Sequence, residues 1–261
     1  MRVAVVGHVE WVEFVRVADV PAAGEIVHAT ERWEEPAGGG AVAAAELVRL
    51  GAETQLITAL GDDELGRRAL EGLEALGIRV RAQIRAEPTR RAVTLVDGRG
   101  ERTIVVLGGK LVPRGPLDGL DAVDAAYFVS GDREALASAR AAPVLVATAR
   151  ELETLKGSGV RLDALVGSGE DAGERYEPGD LEPPPTTVVT THGGRGALID
   201  GSHQVAAAPI PGELADTYGC GDCFAAGFTF ALARGDDPRA AALLAAQSGA
   251  QALTRRGAHG P

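Results

Sequence analysis

The stretch that constrains this chain most tightly is Asp216-Thr217-Tyr218-Gly219-Cys220-Gly221-Asp222, which runs without a break into the apolar segment 223–232. Two glycines around one small residue let the backbone turn sharply, so successive N–H groups point one way where the following helix begins. A helix start of that kind suits an anion, because unpaired donors and the positive end of the macrodipole act together. Asp222 adds one carboxylate beside the nest, within reach of a hydroxyl that approaches a bound phosphate. The pattern predicts phosphoryl transfer with a carboxylate as base. Taken alone, G-x-G-D reads better as an ordinary Gly-rich turn with Asp222 as a helix cap.

The 261 residues suffice for a sizeable core, and the dominance of Ala, Val, Leu and Gly over the 4% aromatics suits a tightly layered α/β protein. A net charge of −11 argues against nucleic acid and anionic membranes as partners. It leaves a phosphate ligand open, since backbone donors bind one without Lys or Arg. With no N-terminal h-region and no run of 18 apolar residues, a soluble, cytoplasmic enzyme is expected. Cys220 and Cys223 have the spacing of a redox pair or half a metal site. No second cysteine pair accompanies them, and both fall where the loop and first helical turn require small side chains. The five histidines are scattered, so a transition-metal site is not expected.

The rest of the chain alternates β-branched runs with Ala-rich segments. Strands are expected at 2–7, 55–60, 125–129, 144–147, 162–166 and 186–191, and helices at 41–50, 67–76, 134–140, 150–155, 223–232 and 238–253. Asp62 or Asp63 is read as a helix cap. This order predicts a doubly wound, mainly parallel sheet with helices on both faces. Two half-polar strand pairs interrupt it, 8–17 with 25–33 and 90–96 with 102–107. They predict a small β-sheet lid from about 9–34 and about 88–108, inserted in a single domain spanning 1–261. Residues 173–185 read as a surface loop, and 197–200 with 203–207 as a hairpin around Gly201.

The seven-residue string resembles the D-T-x-G-A-G-D signature of the phosphofructokinase B-type, ribokinase-like carbohydrate kinases (the PfkB family), with Cys220 in place of the alanine. The order of a Gly-rich motif before a helix, G-D-D-x-x-G, T-x-G-x-x-G and the anion loop resembles that family over nearly the whole chain. The resemblance implies a ribokinase-like fold with a β lid, ATP as donor, Mg²⁺, and a monovalent cation such as K⁺. It implies that Asp222 is the base and that Gly219, Cys220 and Gly221 supply backbone donors to the transferring phosphoryl group. Beside a helix N-terminus Asp222 is expected to be ionised and a weak base, which a loose transition state tolerates. Asp216 and Thr217 are implied near the phosphates and the monovalent cation, Thr191, Gly193 and Gly196 along the ATP site, and Glu170 at Mg²⁺, within a segment resembling N-x-x-E whose Asn is Gly167 here. No G-x-x-x-x-G-K-[ST] occurs, so a P-loop is excluded.

The acceptor side departs from the family. An ungapped comparison puts Val12 where many members carry the Asp that grips sugar hydroxyls, and Val42 where the Gly-Gly motif, here Gly38-Gly39, carries its Asn. Glu10 shares a strand face with Val12, and is expected either to contact the substrate or to sit on the lid rim. Val12 and Val42 are expected to line a more apolar pocket. Arg102 is a candidate lid cation for the γ-phosphate or a surface arginine in a hairpin. These features lead to an ATP-dependent kinase of a small carbohydrate, with a nucleoside as rival acceptor and a catalytically impaired nucleotide or metabolite sensor as the alternative of a different class. Exposed lid strands invite pairing into a homodimer.

Overall fold

The computed structural model describes residues 1–260. Its main sheet has nine strands in the order β13-β12-β11-β10-β9-β8-β1-β4-β5. These are β1 (Arg2–Val6), β4 (Glu53–Gly61), β5 (Arg79–Arg85), β8 (Ala125–Phe128), β9 (Val144–Thr148), β10 (Ala164–Ser168), β11 (Thr187–Thr191), β12 (Ala197–Ile199) and β13 (His203–Val205). All neighbours pair parallel except at β11-β12-β13, where the predicted hairpin makes an antiparallel edge. β5 escaped the sequence reading because its Arg79, Arg81 and Arg85 break the apolar run expected of a parallel strand. It tolerates them because it is the edge strand.

Alternation along β1 decides the layering. Val3 and Val5 face one cluster, with α1 (Gly39–Arg49), α2 (Glu64–Ala75), α5 (Cys220–Ala233) and α6 (Pro238–Ala252) against that side. Ala4 and Val6 face the other, covered by α3 (Arg133–Ala139), by the single turn α4 (Leu152–Leu155) and by Leu181 from the Pro-rich loop. The connection from β10 to β11 carries only a short 3-10 turn, Ala172–Glu174, where a parallel crossover ordinarily carries a helix.

The smaller sheet has the order β3-β2-β6-β7, made of β2 (Glu10–Arg16), β3 (Glu31–Ala37), β6 (Arg91–Val96) and β7 (Arg102–Leu107). β3 lies later than the 25–33 expected from sequence. Its register against β2 sets Trp33 opposite Phe14, and their rings stack with centroids 5.0 Å apart. β7 is an edge strand exposed along its length. Asp63 is the helix cap: its Oδ1 accepts from Gly66 N at 2.7 Å, and Oδ2 accepts from Thr89 N at 2.7 Å. One carboxylate thus ties the start of α2 to the chain that enters β6.

β1 has β4 on one side and β8 on the other, so the chain winds outward in both directions from it. The crevice beyond the C-terminal ends of β1 and β8 is the place where such sheets bind ligands. Gly7, His8, Gly38-Gly39, Val129 and the start of α5 converge there.

Candidate active site

Gly219 is the N-cap of α5 and adopts φ +72°, the left-handed region that glycine fills without strain. A Cβ at this position would also lie 2.7 Å from Val42 Cγ1. Two constraints therefore select glycine. The N–H groups of Gly219, Cys220, Gly221 and Asp222 have no oxygen acceptor among the described residues, and nothing lies within 4 Å of a Cβ built on the exposed Gly221. The open first turn of α5 is an anion cradle of backbone donors.

The loop is braced from below. Asp216 is fully buried, and its carboxylate accepts from Tyr218 N at 2.9 Å and from Gly257 N at 2.7 Å. Thr217 N donates to Gly100 O at 2.9 Å, while Arg102 donates to Thr217 O at 2.8 Å and to Oγ1 at 3.1 Å. Arg102 thus reaches from the small sheet to the anion loop.

Asp222 is half-buried and stands directly over the Gly-Gly turn that opens α1. A Cβ on Gly39 would lie 2.8 Å from Asp222 Oδ1 and 2.9 Å from Val129 Cγ1, so only glycine leaves the carboxylate its place. Burial, with Glu174 and Glu10 adding negative charge, pushes the Asp222 pKa up to about 6 against the pull of Arg102 and Arg150. Asp222 is thus still mostly ionised at neutral pH, as expected, but is a stronger base than the helix terminus alone implied. Desolvation outweighs the helix terminus, and a carboxylate titrating near neutrality is the better proton acceptor.

On the other side of the turn, Gly38 adopts φ +87°, and a Cβ there would lie 3.2 Å from both Glu10 Cγ and His8 Cδ2. Glu10 is only 7% exposed, which rules out a solvent-facing rim position in this structure. Its Oε1 lies 3.2 Å from Arg90 Nε and 3.5 Å from His8 Nε2, and burial raises its pKa against the charges of Arg90 and Lys110. His8 Nδ1 pairs with Ser130 Oγ at 3.1 Å. Glu10 and Asp222 therefore flank adjacent glycines.

Val12 and Val42 do not wall an open pocket. They are 0% and 1% exposed and pack with Phe14, Tyr218 and Cys223 beneath the anion loop. Tyr218 also accepts, at Oη, the Gly38 N–H at 3.2 Å. The two valines have joined the core that holds Gly219 and Gly38 in place.

Glu170 is exposed and paired with Arg195 at 2.9 Å, with its Oε2 3.8 Å from where a Cβ on Gly193 would stand. Glu174 is the more buried of the two. Its Oε2 accepts from Ser168 N at 2.8 Å, and Oε1 meets Arg150 Nη2 at 2.5 Å. The signal for it lay in Gly167: a Cβ there would be 2.6 Å from Ala149 Cβ and 3.0 Å from Glu174 O, so the asparagine of the usual pattern has no room. The Thr191–Gly196 turn ends β11 beside this loop. Thr191 Oγ1 donates to Gly167 O at 3.3 Å, and Gly193 and Gly196 take φ +54° and +90°. At Gly196 a side chain would run into the Val205 carbonyl.

The sequence pattern of the pfkB family carbohydrate kinases matches residues 1–165 and 134–261. The chain belongs to this family. Among similar proteins, the ribokinase of Bacillus subtilis is 28% identical over 92% of this chain and 88% of its own length. An ATP-dependent ribose-1-phosphate kinase of Halopiger xanaduensis is 30% identical over 99% of this chain and 94% of its own. The crystal structure of Thermotoga maritima ribokinase superposes with a TM-score of 0.78 at 21% identity, covering 99% of this chain and 95% of that one, which establishes the shared fold.

Proposed function

We propose that the protein is an ATP-dependent kinase that phosphorylates a hydroxyl of a small carbohydrate or related metabolite, closed over by the four-stranded sheet as a lid. One observation carries the reading: the Asp222 carboxylate lies between unpartnered backbone donors at the start of α5 and the Gly38-Gly39 turn beside Glu10. An acceptor hydroxyl on that turn meets Asp222 on one side and the γ-phosphoryl group, cradled by Gly219, Cys220 and Gly221, on the other. Asp222 takes the proton as the new O–P bond forms and the bond from the γ-phosphorus to the bridging oxygen breaks, ADP leaving with that electron pair, and the cradle stabilises charge on the phosphoryl oxygens. Arg102 stands ready for the γ-phosphate, and Thr191, Gly193 and Gly196 line the nucleotide groove.

The donor set fits Mg²⁺ in the way that ion is usually held, through phosphates, waters and one or two carboxylates. Among the described residues no group of three or more His, Cys, Asp or Glu side chains could hold a metal alone. Glu174, whose negative charge already repels that of Asp222, is the protein carboxylate best placed to orient the ion's waters. When bound, Mg²⁺ neutralises phosphate charge.

The test is ADP release from Mg-ATP across a panel of sugars, sugar derivatives and nucleosides. Turnover of one acceptor that falls at least about a thousandfold in Asp222→Asn, with ATP binding retained, is the expected result. Equal turnover by the two proteins would refute the role of Asp222, and ligand-induced thermal stabilisation without any turnover would favour a sensor.

A further inference from the structure

Glu174 is held by a residue from another part of the chain. The loop that carries it offers only the 3-10 turn Ala172–Glu174, and turns of that kind hydrogen-bond weakly. The guanidinium of Arg150 spans this turn. Its Nη2 lies 2.6 Å from Asp171 Oδ2 and 2.5 Å from Glu174 Oε1, so it meets the residue before the turn and the residue that ends it. Asp171 also caps the turn, its Oδ1 accepting from Gly173 N at 2.8 Å. One cation therefore clamps both ends.

Arg150 is itself fixed at the end of β9. It lies in the 3-10 turn Ala149–Glu151, where its N donates to Thr148 Oγ1 at 3.3 Å and the next residue, Glu151, is anchored to Lys110 Nζ at 2.6 Å. Gly167 leaves room for the clamp, since a side chain there would collide with Ala149 and the Glu174 carbonyl. The Glu174 side chain is 14% exposed, and Arg150 is the one cation paired with it among the described residues. Without that partner a largely desolvated carboxylate would stand uncompensated. Beyond burial, Glu174 is the neighbour that does most to raise the Asp222 pKa, and Arg102 and Arg150 oppose it. We infer that Arg150 is a positioning residue, holding the Glu174 carboxylate in place for the metal–nucleotide complex and acting on that complex through Glu174. The inference rests on the assignment of Glu174 in the proposed function, and the experiment separates the two.

The experiment titrates Mg-ATP, and separately ATP in EDTA, calorimetrically into wild type, Arg150→Gln, Arg150→Lys, Glu174→Gln, Glu170→Gln and the double variant Arg150→Gln with Glu174→Gln. No acceptor is needed. Arg150→Gln is expected to weaken Mg-ATP binding on the order of 10-fold and metal-free ATP binding by less than about threefold, the pattern of a group that orients a metal's carboxylate. Arg150→Lys recovers part of the loss. The double variant should bind Mg-ATP no more weakly than Glu174→Gln alone, because residues that act as one unit do not add. Asp171→Asn, which releases the other end of the clamp, gives a smaller loss of the same kind and carries the test should Arg150→Gln fail to fold. Equal losses for Mg-ATP and metal-free ATP would make Arg150 a direct phosphate ligand and overturn the positioning role, as would additive losses in the double variant. A metal-dependent loss in Glu174→Gln with none in Arg150→Gln would overturn the inference and keep the assignment of Glu174. The same loss found in Glu170→Gln instead would overturn both. The expected binding pattern with turnover of no acceptor would keep the inference and overturn the kinase.

Discussion

The loop around Gly219 and the corner around Gly38 meet at Asp222, but they are built from different material. The first is backbone: Gly219 in left-handed conformation, N–H groups without oxygen acceptors, and a carboxylate at the start of a buried helix. The second is side chains drawn from scattered segments, with His8, Glu10, Arg90, Lys110, Ser130 and Glu151 placed by the sheet topology rather than by adjacency. A backbone site is fixed by a contiguous string and depends little on what surrounds it. A side-chain site changes one residue at a time, which is how Val12 and Val42 come to lie in the core with no loss to the loop above them.

The hardest test of this contrast is Val12→Asp, which places a carboxylate at the position where many family members carry one. Val12 is 0% exposed among Phe14, Val42 and Tyr218. The variant is expected to lose at least about 3 kcal/mol of stability, because an unpaired charge enters an apolar cluster. Urea unfolding measures it. A Val12→Asp protein as stable as wild type, and improved on neutral sugars, would mean that the acceptor corner extends to Val12 and that the two regions are not separate.

Gly39→Ala tests the junction itself. Its Cβ would stand 2.8 Å from Asp222 Oδ1, so the carboxylate has to move while the donors of the loop stay where they are. Turnover is expected to fall on the order of 100-fold, since a displacement of about 1 Å at a reacting group costs that much. ATP affinity, measured by calorimetry, changes little. Matching losses of ATP affinity and turnover would show that the loop and the turn move as one unit.

The same contrast explains what could be read from the sequence. The anion loop, the parallel sheet with its hairpin edge and the small sheet were legible because each leaves a local mark: a glycine string, an apolar run, a turn. Glu174 left none of its own. It enters through a loop that passes Gly167, and the only trace is a glycine where a side chain would collide with Ala149. Glu170 matched the expected spacing and still faces Arg195 at the surface, because spacing along a chain does not set direction after a strand ends. Arg90 was legible as part of a strand, and its pairing with Glu10 became visible only in three dimensions.

The smallest expected effect concerns the carboxylate that both regions share. The folded-state pKa of Asp222, about 6, stands above its ordinary 3.8, chiefly because it is desolvated. The folded state therefore holds that proton more tightly than the unfolded chain does. The stability contributed by the protonated form is fully present below about pH 4 and is lost as pH rises through about 6. Asp222→Asn cannot ionise, so at pH 8 it should be more stable than wild type by about 1 to 2 kcal/mol, allowing for partial exposure to solvent, and the difference should close at pH 4. Wild-type turnover should rise through the same interval, since the base works deprotonated. Glu174→Gln removes one negative neighbour and should move the turnover midpoint to lower pH. A midpoint that stays fixed while the Asp222→Asn stability gap persists would assign the raised pKa to burial alone and detach Glu174 from the site.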